Sequence, residues 1–473
     1  MRKTIVKYGI IILILFQAGI VFAGGVSSAG ALFLLISPGA RAGGMGEAQV
    51  GVANDAYASY WNPAGLAFLQ DTEFAFMHVN WLRNLVPDMY YDFMAFRHHV
   101  PMLGTVGGHI IYLNLGDQVR TDEEGNVLGE WVSYMFAVTA SYGAYLTDKS
   151  AIGLNVKVMH QMLAGAGAGA EKGKGLSTDF AFDIAYLNKR FISKRLDLGV
   201  TITNIGPKIA FIDEAQADPM PTNFVLGLNF RAIDSRYNKL SIVLDMSKML
   251  VASYPDMDWD GDGKIGDYDE DGHFSDGGEY NKDGQKEIAH TDPIYKAIFT
   301  SWVDDWFLGG DIDMAPTSET SDGIIGGYDW IDIDENGEVD KNIWNDENEN
   351  GLKDEGEGEI IYAGYGNNDG IEFGDEGWGT YNRWGQKEVG NSKDRTIKNE
   401  LDQIIYNAGF EYWYSKYFAL RAGFYYDKIG KIGNPTFGVG LRFGGYGFDA
   451  GFTLGDPGHP LTNTMRFSLN MEI

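Results

Sequence analysis

The last nine residues, "MRFSLNMEI", put Met465, Phe467, Leu469, Met471 and Ile473 on one side of an extended chain and Arg466, Ser468, Asn470 and Glu472 on the other. Strict alternation of this kind is the signature of a strand lying between two different surroundings. The pattern recurs. "LSTDFAFDIAY" sets Phe180, Phe182, Ile184 and Tyr186 against Asp179, Ala181, Asp183 and Ala185. "AIGLNVKVMH" sets Ile152, Leu154, Val156 and Val158 against Asn155 and Lys157, and "FVLGLNF" repeats the rhythm with Phe224, Leu226, Leu228 and Phe230. Fourteen such segments lie near 72–82, 90–100, 104–115, 132–146, 150–161, 177–187, 195–204, 221–231, 239–248, 402–414, 417–427, 434–443, 446–454 and 463–473.

Arg2, Lys3 and Lys7 precede the apolar run "YGIIILILFQAGIVF", and Val21-Phe22-Ala23 stands before Gly24, as in a secretory signal peptide of residues 1–23. A retained N-terminal anchor is the alternative. No later stretch supplies the ~18 consecutive apolar residues of a spanning helix. A membrane-crossing mature chain must therefore close into a barrel, because only helices and barrels satisfy every backbone group in lipid. With no cysteine, neither a lipid attachment site nor a disulfide is available.

The connections test this independently. Outer-membrane barrels have short periplasmic turns and long external loops. With the first strand running outward, the even-to-odd links are "PML", "TDK", "NKRFISK", "AIDSRYNK", "SK" and "GG", whereas the odd-to-even links include 116–131, 162–176, 205–220 and 249–401. A soluble β-sandwich would not produce that rhythm. The expected fold is all-β: a 14-stranded antiparallel transmembrane barrel with an N-terminal segment (24–70) ahead of it, strands 1–9 in 71–249, a large acidic extracellular insert (250–400) and strands 10–14 in 401–473. Outward positions such as Phe182 and Leu469 should reject charge, and inward ones such as Asp183 should be more tolerant.

Ser37 to Leu69, rich in glycine and alanine and without alternation, reads as short helical turns and loops. Its Asn62-Pro63-Ala64 triplet supplies a turn, because proline fixes φ and asparagine can bond nearby backbone.

The net charge of −29 is concentrated in the insert: 251–400 holds 39 acidic and 11 basic residues, and the remainder is nearly neutral. In "DWDGDGKIGDYD", Asp258, Asp260 and Asp262 occupy positions 1, 3 and 5 of a twelve-residue calcium loop. Gly263 stands at 6, the Lys264 carbonyl at 7 and Asp269 at 12. Asp269 replaces the usual glutamate, which lowers the expected affinity. Asp267, Asp269 and Asp271 begin an overlapping register. Asp332, Asp334 and Asn336 begin another, with the poor ligand Ile343 at position 12. Asp346, Asn348, Asn350 and Glu357 make a better one, and Asn367, Asp369 and Glu376 a weaker one. No amphipathic helix brackets these loops, so they resemble helix-free calcium repeats rather than EF-hands. A solvated acidic loop is the alternative, although Trp259, Trp330, Trp344, Trp378 and Trp384 argue against plain disorder. As an odd-to-even connection the insert is expected outside the cell, where structural Ca²⁺ is available.

No catalytic constellation appears, so the chain reads as a non-enzyme. His98-His99 sits at a strand end and reads as structural, and the acidic balance excludes nucleic acid as a partner.

"ARAGGMGEAQVGVANDAYASYWNPAGLA", "LGVTITNIGPKI", "FEYWYSKYFALRAGFYY" and "FGVGLRFGGYGFDAGF" resemble the PorV/PorQ family of FadL-like outer-membrane barrels. The resemblance spans about 30–250 and 400–473, and the insert departs from it. It implies a fourteen-stranded barrel in outer-membrane lipid, an N-terminal hatch (24–70, with Asn62-Pro63-Ala64 as its motif) that folds into the lumen as a plug, and association with type IX secretion. In that role the partners are C-terminal signal domains of secreted cargo and other secretion components. The alternatives are a FadL-like channel for hydrophobic solutes and a passive barrel displaying an adhesion module.

Overall fold

Alternation becomes closure once each strand finds two neighbours. In the computed structural model these are β1 (Glu73–Asn80), β2 (Tyr90–Val100), β3 (Gly104–Thr121), β4 (Val127–Thr147), β5 (Ser150–Ala164), β6 (Gly175–Asn188) and β7 (Leu196–Ile205). There follow β8 (Asn223–Asp234), β9 (Asn238–Met249), β10 (Ile405–Tyr414), β11 (Phe418–Asp427), β12 (Ile432–Phe443), β13 (Tyr446–Thr453) and β14 (Thr464–Glu472). The structure describes residues 29–83, 86, 88–121, 127–164, 175–211, 217–254, 278–280, 284, 286, 288, 290–304, 380–381, 387–388, 397–455 and 463–473. Residues 1–23, expected to be a signal peptide, and every candidate calcium ligand lie outside these residues.

The fourteen strands form one closed antiparallel barrel. β14 seals against β1, with Glu73 opposite Glu472 and His78 opposite Phe467. β9 and β10 are direct neighbours, Ile405 facing Ser247 and Tyr414 facing Asn238, so the long insert leaves and returns at one seam. No described helix is long and apolar enough to cross a membrane.

Each strand presents two faces. Along β14 Met465, Phe467 and Leu469 are exposed, while Arg466, Ser468 and Asn470 are buried. Along β6 Phe180, Phe182 and Ile184 are exposed, and Asp183 and Ala185 are buried. The exposed face is the lipid face and the buried face looks into the lumen. Near the long-loop rim His78, Tyr90, Tyr112, Tyr134 and His160 form a ladder with ring centroids 5.8–6.2 Å apart. Such a belt is expected where lipid meets water.

β3 and β4 are longer than the alternation implies, which ends near 115 and resumes near 132. The register shifts between Asn114 and Asp117, so one irregularity flips the pattern while the pairing continues.

At the β9–β10 seam the described part of the insert begins as a small collar. Ser253–Tyr254 pairs with His290–Thr291, followed by α-helix Ile294–Thr300, and a second helix, Ile397–Asp402, leads back into β10. Lys248 Nζ on β9 lies 3.4 Å from Glu400, and Trp302 packs edge-on against Phe224 of β8. His290 stacks on Tyr254 at 5.1 Å, and burial pushes its imidazole below the ordinary range.

Candidate functional site: a hatch latched inside the barrel

Residues 29–69 thread the lumen as four short helical pieces: Leu32–Leu35, Ala40–Gly43, Ala58–Trp61 and Pro63–Phe68. None is long enough to be stable alone. They hold because small side chains let the backbone reach the wall, and nearly every residue from Ala40 to Ala67 is buried.

The wall is shaped to receive them. Cross-strand glycine pairs occur at Gly143/Gly153 on β4/β5, Gly199/Gly227 on β7/β8, Gly409/Gly423 on β10/β11 and Gly438/Gly451 on β12/β13. A Cβ on Gly153 would stand 2.1 Å from Ala64 N, one on Gly423 2.2 Å from Gly46 N, and one on Gly451 2.4 Å from Ala40 O. These positions explain part of the chain's glycine excess: strand glycine marks close backbone approach. On the hatch side Gly46 has φ of +66° with carbonyl oxygens within 2.6 Å of its notional Cβ, so no other residue fits there.

Side chains complete the seat. Arg41 Nε and Nη2 donate to both oxygens of Glu411 on β10 at 2.8 and 2.7 Å, and Nη1 donates to Asp55 of the hatch at 2.8 Å. Glu411 also accepts from Arg421 Nε on β11 at 2.9 Å, and Arg421 reaches Asp449 on β13 at 2.7 Å. Asp245 on β9 accepts from the backbone N–H groups of Gln49 and Val50 at 2.7 and 2.8 Å. Ser468 on β14 and Thr436 on β12 accept from Ala40 N and Gly46 N, both at 2.8 Å. Arg466 on β14 meets Glu47 at 2.7 Å. Met77 on β1 accepts from Gly39 N, and Tyr57 stacks on Phe93 of β2 at 5.3 Å. With Gly143 on β4, Gly199 on β7, Gly227 on β8 and the β3, β5 and β6 contacts below, the hatch touches all fourteen strands.

The Asn62-Pro63-Ala64 triplet is one of these anchors. Asn62 caps the turn Pro63–Phe68: its Oδ1 accepts from Ala64 N at 3.1 Å. Its Nδ2 donates to Val50 O at 3.1 Å and to Tyr186 O on β6 at 3.2 Å. One amide thus ties the turn to the hatch and to the wall. Arg41 and Glu411 lie inside stretches quoted above, but nothing local pairs one with the other, and Asp245 lies in none of those stretches. The available signal was charge on the inward face, where Glu411, Arg421, Asp449 and Asp245 all fall.

Asp183 is not the permissive position that alternation implies. It lies 3.0 Å from Lys157 Nζ, accepts from Asn204 N and Asn155 Nδ2, both at 2.7 Å, and is buried. Asn155 in turn donates to Ser59 O of the hatch at 2.8 Å. The lumen face here is a packed polar core rather than a solvated wall.

Ser59 Oγ lies 3.2 Å from His109 Nδ1 on β3, but Nε2 of that buried ring has no partner, so no Ser-His-acid set is formed. Among the described residues no group of three acidic or histidine side chains is placed to hold a metal. Asp258, Asp260, Asp262, Lys264, Asp267, Asp269, Asp271, Asp332, Asp334, Asn336, Asp346, Asn348, Asn350 and Glu357 lie outside the described residues.

Among solved structures the chain is similar to the toluene transporter TbuX of Ralstonia pickettii (10% identity, 92% of this chain and 97% of that one, TM-score 0.42). It is similar to the toluene transporter TodX of Pseudomonas putida (11%, 92% and 96%, 0.41) and to a Pseudomonas aeruginosa FadL homologue (9%, 92% and 97%, 0.38). No curated protein matches. The family model "Type IX secretion system protein PorV" matches residues 25–256, a stretch that holds the described hatch and β1 to β9. By that match over 25–256 the chain is similar to the PorV family, and its described residues form a closed fourteen-stranded barrel around an N-terminal hatch.

Proposed function

We propose that this barrel handles type IX secretion cargo at the cell surface, receiving secreted proteins by their C-terminal signal domains, and that its insert forms an external module ordered by calcium. The observation that carries the first part is the PorV match over the hatch and nine strands. The latched hatch supports it. A lumen plugged by contacts to every strand suits a barrel that works through its rim and loops better than one that passes solute through its centre. The experiment is deletion of the gene. Type IX cargo should then accumulate in the periplasm and disappear from the surface, with rescue by the intact gene. Normal cargo display with lost uptake of a hydrophobic compound would instead establish the channel reading.

The calcium module rests on the spacing of Asp258, Asp260, Asp262, Lys264 and Asp269. Like charges brought together on closing this loop repel, and a divalent cation offsets that repulsion, so closure and binding are coupled. With free calcium at ~100 times the dissociation constant, each site would add ~2.7 kcal/mol. Chelation of whole cells should expose 250–400 to added protease while the barrel keeps its heat-modifiable folded band. Asp260→Ala with Asp262→Ala should reproduce this at the first loop. Unchanged proteolysis under chelation, with no calorimetric calcium binding at millimolar ion, would reduce the stretch to a solvated acidic loop.

A further inference from the structure

The chain carries a net charge of −29, yet one sector of the short-turn rim is basic. Three successive turns build it: β4–β5, β6–β7 and β8–β9. Lys149, Arg190, Lys194, Arg195, Arg236 and Lys239 are all exposed there, and none is in an ion pair with a described carboxylate. Only Asp148 and Asp234 are exposed acids on the same turns.

The bases are held together by backbone. Lys189 N donates to Lys149 O at 2.7 Å and Arg231 N to Arg195 O at 2.8 Å, which stitches each turn to the next. Arg231 Nη2 adds a bond to Lys194 O at 3.0 Å. Between the first two turns lies an open cleft of about 380 Å³ lined by Lys149, Arg190, Phe191, Ile192, Ser193 and Lys194. Phe191 and Ile192 are 47% and 77% exposed at the middle of the basic turn, an arrangement that costs free energy in water.

The outward apolar belt runs up to these bases without a break. Leu146 on β4, Ile233 on β8 and Tyr237 in the β8–β9 turn are all exposed, and Arg236 lies over the Tyr237 ring at 5.3 Å. Aromatic and long basic side chains at the end of a lipid-facing belt sit at headgroup level, stems in the acyl region and charges among phosphates. A soluble acidic partner would match the charge but would leave the continuity with the belt unexplained.

We infer that this sector of the rim binds the headgroups of anionic phospholipid in the adjoining leaflet, with Phe191 and Ile192 inserted among the acyl chains. The inference rests on the membrane-barrel reading and, with short turns on the periplasmic side, places the site in the inner leaflet of the outer membrane. It assigns a lipid-binding role to "KRFISKR", which otherwise serves only as a turn.

The test uses the full-length protein folded into phosphatidylcholine vesicles, with spin-labelled phosphatidylglycerol competing against spin-labelled phosphatidylcholine for the protein surface. The wild type should prefer phosphatidylglycerol at low salt, and the preference should shrink as salt screens it. Each base contributes about fivefold to the affinity of its own headgroup site. The triple variant Arg190→Gln, Lys194→Gln, Arg236→Gln should therefore lose most of the preference, while Arg190→Lys with Arg236→Lys should keep it. Equal preference in wild type and triple variant would overturn the inference. So would its abolition by millimolar inorganic phosphate but not by sodium chloride of matched ionic strength, since that marks a free-phosphate site. Binding of polyglutamate at this rim without any lipid preference would mark a protein dock and overturn it too. Failure to form a heat-modifiable folded band in either lipid would overturn the membrane reading and this inference together, and gel mobility separates that result from a mere loss of lipid preference.

Discussion

Glu411→Ala should release the hatch. The carboxylate takes three hydrogen bonds from Arg41 and Arg421, and the side chains of both arginines are nearly inaccessible. Removing it leaves two buried cations short of a partner, and breaking a buried pair from one side costs ~3–5 kcal/mol. Arg421 retains Asp449 and Arg41 retains Asp55, so the barrel should still close while the hatch loosens. Urea unfolding in vesicles should report the loss, and planar-bilayer recordings should show ion conductance that the wild type lacks. Glu411→Gln should lose less than Glu411→Ala, because its amide oxygen still accepts from an arginine and the side chain still fills the site. An unchanged unfolding midpoint with silent bilayers for Glu411→Ala would refute the latch.

Phe182→Arg should cost ~2–4 kcal/mol in phospholipid vesicles, because the position is outward and midway along the belt of β6, where a charge meets hydrocarbon. Leu146→Arg, outward but at the short-turn rim, should cost only ~0–1 kcal/mol. Asp183→Ala should also be costly, for the opposite reason: it strands Lys157 and two hydrogen-bond donors inside the lumen. Depth separates the mechanisms. The arginine penalty follows distance from the midplane, whereas the Asp183 penalty should be the same in thick and thin bilayers. Equal costs for Phe182→Arg and Leu146→Arg would mean that the lipid face has been misassigned.

The strands were legible because each reports its two surroundings locally. Phe182 beside Asp183 and Leu469 beside Asn470 need no knowledge of their neighbours to declare which side is apolar, and a period of two survives without an alignment. Loop lengths added the hairpin order. Where a strand carried an irregularity, as β3 does past Asn114, the local signal broke although the pairing went on. The Asn62-Pro63-Ala64 triplet was legible as a turn because proline and asparagine act on their own backbone.

What the sequence alone determined is therefore the barrel, its fourteen strands, its two faces and the presence of a small-residue hatch. Only the tertiary structure decided how that hatch is held. Arg41 and Glu411 are 370 positions apart, and Gly46 meets Phe424 and Ala408 only after the barrel has closed. Inward polar residues look alike in a list whether they line water or a packed core, since alternation records the side a residue faces and not what stands opposite. The partner of each lumen side chain is set by closure of the sheet and by the path of a segment without periodicity. For that reason Asp183 proved to be part of a buried network rather than a tolerant wall position.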